Sequence, residues 1–103
     1  MRIIARRALR EFVEALAGHV DQRAAKAALD AWYAAAKKAT WKQPADIKLQ
    51  YRSASLLRGR RVVFNICGNK YRLVTKINYA TAVVYIRFIG SHAAYDAIDA
   101  EEV

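Results

Sequence analysis

The spacing of the apolar residues changes near position 61, and this change constrains the fold more than any other feature of the sequence. Before it, apolar side chains recur every three to four residues, as at Leu9, Phe12, Val13 and Leu16, which is the spacing of one buried helix face. After it, apolar and polar residues alternate, as on a half-buried strand. The sequence therefore predicts an α+β chain with its helices first and its sheet second.

Two main helices are predicted in the first part of the chain. One spans residues 7–17, and the other runs from Asp21, which offers an N-cap, to about Lys38. A short strand is predicted within residues 1–5, where Ile3 and Ile4 are adjacent, and a short helix at residues 46–51 follows the only proline.

Three strands are predicted in the second part. Their bounds are Arg61–Cys67, Lys70–Tyr79 and Ala82–Gly90. Gly68-Asn69 suits a tight hairpin turn, so the strands should form an antiparallel meander. The segment 52–61 before them is polar and contains four arginines, and it is predicted to be an exposed loop.

Alternation divides the predicted strands into two chemically different faces. The apolar face, which the helices would cover, takes Val62, Phe64, Ile66, Tyr71, Leu73, Thr75, Ile77, Val84, Ile86 and Phe88. The opposite face takes Arg61, Asn65, Arg72, Lys76, Tyr85 and Arg87. Arg72 and Arg87 lie on adjacent strands and are predicted to grip one phosphate together. A solvated sheet face that happens to carry long cations is an equally good explanation of this pattern taken alone.

Charge and length limit the classes of function. The chain has 103 residues, enough for a single domain over 1–103, and 18 Lys and Arg against 9 Asp and Glu give a net charge of +9. This balance favours a polyanion partner, nucleic acid first, with an acidic protein or a membrane surface as alternatives.

Cysteine usage and hydropathy predict the compartment. Cys67 is the only cysteine, so neither an internal disulfide nor a metal site of cysteine type is expected. No uncharged apolar run approaches the roughly 18 residues of a spanning helix, and no signal-like segment is evident. We expect a cytoplasmic protein that is neither exported nor embedded in a membrane.

The residues after the last strand form a candidate site. Ser91 is a suitable N-cap for a short helix in which His92, Tyr95 and Asp96 share one face. Asp96 would orient the imidazole of His92. The alternative is an ordinary helix cap followed by a surface histidine.

These segments together resemble a known family. The stretches Val62–Val74, Ile77–Tyr79 and Val84–Asp96 are similar to the HigB-type toxins of bacterial toxin–antitoxin systems, and the resemblance extends over essentially the whole chain. Ser91 stands where the family has threonine, which keeps the hydroxyl group.

The resemblance implies both a fold and an activity. The fold would be RelE/ParE-like, with two N-terminal helices on one face of a small, mainly antiparallel sheet of three to four strands and a short C-terminal helix. The activity would be that of an endoribonuclease that cuts messenger RNA on translating ribosomes until a cognate antitoxin, a HigA-like helix-turn-helix protein, neutralises it. The RNA-handling positions implied by the family motif are Asn65, Lys70, Arg72, Arg87, His92 and Tyr95.

RNA cleavage of this kind would need no metal or cofactor, because the attacking group is the 2′-OH of the substrate. We expect His92 to act as base or acid and Arg72 and Arg87 to stabilise the phosphate. Tyr95 or Tyr85 would stack on a base or share in proton transfer, and Lys70 or Lys76 would screen charge. The residues expected to hold ribosomal RNA or the messenger backbone are Arg52, Arg58, Arg60 and Arg61.

Two other functions remain open from the sequence. A ParE-type toxin of the same fold would inhibit DNA gyrase without cleaving RNA, and a plain basic module would bind RNA without cutting it. The fold does not choose between these functions. His92 with the two arginines favours ribonuclease chemistry.

Overall fold

The computed structural model describes residues 1–103, which form four helices and five strands. In chain order these are β1 (Arg2–Ile4), α1 (Arg6–Ala15), α2 (Gln22–Lys38), α3 (Pro44–Gln50), β2 (Ser55–Leu56), β3 (Arg61–Ile66), β4 (Tyr71–Asn78), β5 (Val83–Ser91) and α4 (His92–Asp96). The α+β class, the two main helices and the three-strand meander are confirmed. None of the helices has the length and apolar composition needed to span a membrane.

The sheet has five strands rather than the predicted three to four. Their order is β1-β5-β4-β3-β2, and β1 runs parallel to β5 while the other pairs are antiparallel. Part of the segment predicted to be a loop is the edge strand β2, whose Ser55 pairs with Val63. A strand of two residues is too short to show alternation, so only its backbone pairing reveals it.

One face of the sheet packs against the helices and forms the core. Phe64 of β3 lies at its centre, where Trp32 of α2 and Tyr51 approach its ring edge-on at centroid distances of 5.4 and 5.1 Å. Trp41 stacks on the same ring at 6.1 Å. The helical layer and the residues around α3 therefore cover this face, as the apolar pattern predicts.

A β-bulge in β5 changes which residues face the core. Val74 pairs with Phe88 and Thr75 with Ile86, so Arg87 is an extra residue without a partner on β4. Ile86 packs on the core, and Phe88 shares the side of Val74. The predicted placement of Phe88 on the apolar, helix-covered face is therefore wrong, because one inserted residue reverses the alternation that follows it.

The face opposite the helices is called here the open face. It presents Arg61, Val63, Asn65, Arg72, Val74, Lys76, Tyr85 and Phe88. Residues 92–103, called the C-terminal segment, lie along part of it: Arg61 Nε donates to the backbone oxygen of Val103 at 2.9 Å, and the Arg72 guanidinium lies 5.8 Å from the Tyr95 ring centroid. Val63 and Val74 of this face are buried, whereas the other residues named above stay partly exposed.

Asp21 connects the helical layer to the sheet instead of capping α2. Its backbone is helical and its side chain makes no cap hydrogen bond, which corrects the predicted N-cap. The carboxylate accepts hydrogen bonds from Lys70 Nζ at 3.0 Å and from the Tyr71 hydroxyl at 3.1 Å. The hydrogen bond from Lys70 is the main reason that the pKa of Asp21 lies below the ordinary 3.8.

The hairpin between β3 and β4 is longer than predicted. Ile66 pairs with Tyr71, which leaves a connection of four residues, 67–70. Lys70 N donates to Cys67 O at 3.3 Å across Gly68-Asn69, so the predicted turn with glycine at its first central position is present inside this connection. Cys67 and Gly68 take φ values of +54° and +64°. Gly68 suits this left-handed conformation, whereas Cys67 adopts it under the constraint of the hairpin.

We expect Asp21→Asn to lower the urea midpoint of unfolding at pH 7, because an amide loses the charge that Lys70 pairs with. A carboxyl with a lowered folded pKa stabilises the fold fully above its unfolded pKa, and this stabilisation is lost as the pH falls through the folded value. The difference between wild type and Asp21→Asn should therefore shrink below about pH 3.8. Asp30→Asn, which breaks an exposed pair with Lys26, should lower the midpoint less. A difference that grows on acidification would contradict this account.

Candidate nucleic-acid interface

A cationic cavity lies at one end of the open face. It has a volume of about 270 Å³ and is lined by Arg60, Lys76, Ile77, Asn78, Tyr85 and Arg87. Three of these side chains are cations and none is acidic. A concave site with uncompensated positive charge attracts an anionic group, and the phenol of Tyr85 adds a surface on which a base can stack.

The backbone explains why these side chains meet. Lys76 pairs directly with Tyr85 of β5 and with Arg61 of β3, so its neighbours on both sides share its face. Arg87 is the extra residue of the bulge and is exposed. Bulges change the direction in which a side chain points, and here the bulge brings a guanidinium to the cavity.

A second group lies at the other end of the open face. The Arg72 guanidinium lies under the Tyr95 ring, and its Nη1 is buried without a hydrogen-bond partner. A buried guanidinium donor is costly to leave unpaired. An acceptor brought by a ligand would satisfy it, which makes Arg72 the most informative single residue of this group.

His92 and Asp96 complete the second group. His92 Nε2 lies 3.6 Å from Asp96 Oδ1, and their side chains are 47% and 65% exposed. The predicted contact between them is therefore present, and the imidazole is accessible to a substrate. An exposed imidazole oriented by a carboxylate is a suitable group for general acid–base catalysis.

A helix cap holds this second group in place. The Ser91 hydroxyl accepts a hydrogen bond from Ala94 N at 3.1 Å, which confirms the predicted N-cap. His92 N also donates to the Lys70 backbone oxygen at 3.0 Å. These two bonds set the start of α4 against the sheet and so place His92 and Tyr95.

Other predicted residues lie outside both groups. The side chain of Lys70 is bound to Asp21 at the edge near α2. Asn65 pairs with Arg72 across the strands, and its amide donates to Ser53 O at 3.5 Å. The structure therefore places Lys70 with the helical layer and Asn65 beside the second group.

The four loop arginines have different surroundings. Arg60 lines the cationic cavity and Arg52 is exposed. Arg61 donates to Val103 O, and Arg58 Nε lies 3.8 Å from Glu101 Oε2. Two of the four thus contact the C-terminal segment of their own chain, which nothing in their local sequence indicates.

Asn78 is a cavity residue that the sequence reasoning missed. It lines the cavity beside Lys76, and its Oδ1 accepts a hydrogen bond from Thr81 N at 3.1 Å. Its position two residues after Lys76 puts it on the same face of β4. The spacing of two residues from Lys76 could have identified Asn78 in the sequence as a residue of the same face.

A comparison with protein families decides the identity of the fold. The model of the HigB toxin family, described as the RelE-like toxic component of a toxin-antitoxin system, matches residues 25–98. The chain belongs to this family. The matched range includes four of the five strands, both groups on the open face and α4. No curated protein was found to match the chain.

Membership makes this chain a RelE-like toxin whose action is countered by an antitoxin partner. Two further observations concern possible metal ligands and the helical side of the molecule. No three His, Cys, Asp or Glu side chains lie together as a metal site would need. A cavity of about 300 Å³ between α1 and α2 lies on the helical side, away from the open face, and contains none of the predicted site residues.

We expect Ser91→Ala to loosen α4 of the toxin and Ser91→Thr to preserve it. Loss of an N-cap hydroxyl costs about 1 kcal/mol, which corresponds to roughly fivefold faster exchange of the Ala94 amide if α4 opens locally. Hydrogen exchange followed by NMR measures this directly. Equal protection of Ala94 in wild type and Ser91→Ala would show that the cap does not hold the helix.

Proposed function

We propose that the toxin is a metal-independent endoribonuclease that cleaves messenger RNA on translating ribosomes. The observation that carries this proposal is the open face, which has an exposed imidazole–carboxylate pair and a guanidinium with an unpartnered buried donor at one end and a cationic cavity at the other. These are the groups that phosphodiester cleavage by a 2′-OH requires.

The chemistry can be assigned to the second group. The RNA 2′-OH attacks the adjacent phosphorus and the bond to the 5′-oxygen breaks, so one proton must leave the hydroxyl and one must reach the leaving oxygen. His92 performs one of these transfers, and Asp96 orients its ring. Arg72 donates to the phosphoryl oxygens, whose negative charge increases as the new bond forms.

The two groups contact different phosphates of one strand. Arg72 and Lys76 are four residues apart on the same face of β4, which corresponds to roughly 13 Å along a strand. That separation is longer than a single phosphodiester link. Arg87 lines the cationic cavity with Lys76, and Arg72 does not. The expectation that Arg72 and Arg87 grip one phosphate is therefore revised in this proposal: Arg72 binds the reacting phosphate, and Arg87 with Lys76 binds another phosphate nearby on the same strand.

The aromatic side chains and the loop extend this binding to a longer strand. Tyr95 beside Arg72 and Tyr85 in the cavity each offer a ring to an unstacked base. Arg52 and Arg60 contribute charge that binds phosphates regardless of sequence. A ribosome presents both kinds of target, a single-stranded message and structured RNA around it.

The remaining parts of the proposal concern the domain and its partner. We take residues 1–103 as one toxin domain, neutralised by a cognate antitoxin of the HigA-like helix-turn-helix type. The net charge of +9 favours an antitoxin surface that is acidic.

Variants of the two groups on the open face distinguish the catalytic step from RNA binding. His92→Asn should lower kcat by about 10²- to 10⁴-fold with little change in KM, because it removes a proton-transfer group. Lys76→Gln with Arg87→Gln should mainly raise KM, because it weakens binding of the neighbouring phosphate. Primer extension on a reporter message in a translating extract gives both parameters. The reverse pattern would place the reacting phosphate in the cationic cavity.

His19→Asn and Arg23→Gln are the matched controls, since both residues are exposed and neither belongs to the cationic cavity or to the group around His92. Neither should change the cleavage rate. The double variant Arg87→Ala/His92→Ala should abolish both cleavage and growth arrest while it keeps the thermal unfolding transition. If the toxin inhibits DNA supercoiling by purified gyrase and cleaves no RNA, the ParE-type function would be supported instead.

Ribosome association should depend on the loop arginines through charge alone. Arg52→Gln/Arg60→Gln should reduce the slope of log affinity against log salt by about two, roughly one for each phosphate that is no longer neutralised. Co-sedimentation with ribosomes over a salt series measures the slope. Arg10→Gln/Arg23→Gln, which removes the same charge from the helical layer, should leave it unchanged. An equal change of the salt slope in both double variants would show that the loop arginines are not part of the ribosome interface.

A further inference from the structure

The acidic residues of the toxin are concentrated at its C-terminal end. The last Lys or Arg is Arg87, and residues 96–103 contain four of the nine carboxylates of the chain, namely Asp96, Asp99, Glu101 and Glu102. Three of these four lie beyond residue 98, where the family match ends. A concentrated negative charge in a strongly basic chain is attracted to the basic surface of the same molecule.

The acidic end lies against the arginines of the open face. Glu101 Oε2 lies 3.8 Å from Arg58 Nε, and Val103 O accepts a hydrogen bond from Arg61 Nε at 2.9 Å. Arg61 pairs with Lys76 of the cationic cavity across the strands. Arg61 and, three positions before it, Arg58 are therefore continuous with the proposed RNA-binding surface.

The contact between the C-terminal segment and Arg58 and Arg61 is weak enough for a ligand to displace it. No residue of the C-terminal segment is fully buried, and a cavity of about 400 Å³, bounded by Leu57 and the carboxylates Asp96, Asp99 and Glu101, lies within it. Arg58 is 91% exposed, and an exposed ion pair of this length contributes little to stability. Segments with few buried contacts are the ones that open locally.

A phosphate would satisfy these arginines better than the segment does. The Arg58–Glu101 distance is longer than a charge-assisted hydrogen bond, and only Nε of Arg61 has a partner in the segment. Guanidinium groups bind phosphate through two parallel hydrogen bonds, which a single distant carboxylate oxygen does not provide.

We infer that Arg58 and Arg61 form a further phosphate-binding subsite for RNA, which the acidic end of the C-terminal segment occupies in the free toxin. The Glu101 carboxylate and the Val103 oxygen stand where phosphates of the RNA bind, so RNA must displace residues 99–103 to reach the whole surface. The inference rests on the proposed function, since it extends the RNA path from the cationic cavity toward the segment that contains β2.

RNA affinity of two charge-matched variants tests the inference. The probe is a single-stranded RNA with 2′-O-methyl groups, which the toxin can bind without cleaving. Glu101→Gln/Glu102→Gln should bind it about three- to tenfold more tightly than wild type at low salt, because the internal competitor is weakened. Glu11→Gln/Glu14→Gln removes the same charge from α1, outside the open face, and should change the affinity less than about twofold.

Two further measurements locate the effect. Adding Arg58→Gln/Arg61→Gln to both backgrounds should remove the gain of Glu101→Gln/Glu102→Gln, as a double-mutant cycle requires for groups that share a site. Bound RNA should also accelerate hydrogen exchange of the amides in residues 99–103 of the wild type, since the segment is displaced.

The outcomes distinguish this inference from the proposed function. The subsite would be overturned by an equal gain in RNA affinity in the two glutamine variants, or by a gain that persists without Arg58 and Arg61. Cleavage of a message by the wild type would in that case still support the ribonuclease proposal. A wild-type toxin that neither binds the probe nor cleaves a message would overturn both.

Discussion

The single extra residue in β5 is the constraint on which the site depends. Before the bulge, Val84 and Ile86 face the helices, and after it Phe88 faces away from them while Arg87 is displaced outward. The same strand thereby contributes to the core and presents a guanidinium at the cavity. Gly90 completes this arrangement, because a Cβ there would lie 2.6 Å from Cζ of Phe88. The ring of Phe88 thus occupies the space that any other side chain at position 90 would need.

Much of the fold could be predicted because its strongest signals are local. Helical spacing around Leu9 and alternation around Phe64 each extend over many residues, so α1 and β3 follow from them within a few positions. Short or context-dependent features could not be predicted in the same way. The two residues of β2 carry no periodic signal, and the bulge at Arg87 leaves the sequence alternation looking regular although the pairing shifts.

The site was predictable in its members and less so in its arrangement. His92, Tyr95 and Asp96 could be grouped because they follow helical spacing within one short element. Lys70 could not be assigned from the sequence, because its partner Asp21 lies 49 positions earlier in the chain. The division of the cations into two groups depends on strand register and on the packing of Tyr95 over Arg72. Contacts of this kind join residues that are far apart in the chain.

The parallel pairing of β1 with β5 affects when the molecule can become complete. Arg2 pairs with Val83, which is synthesised 81 positions later. The pairing of β1 with β5 therefore forms only after Val83 has been synthesised. Loop closure over that length is a late and slow event in folding. Apart from Arg60, the residues of both groups on the open face come from β4, β5 and α4. A chain that has not yet been synthesised through β5 and α4 therefore has neither a finished sheet nor a finished site.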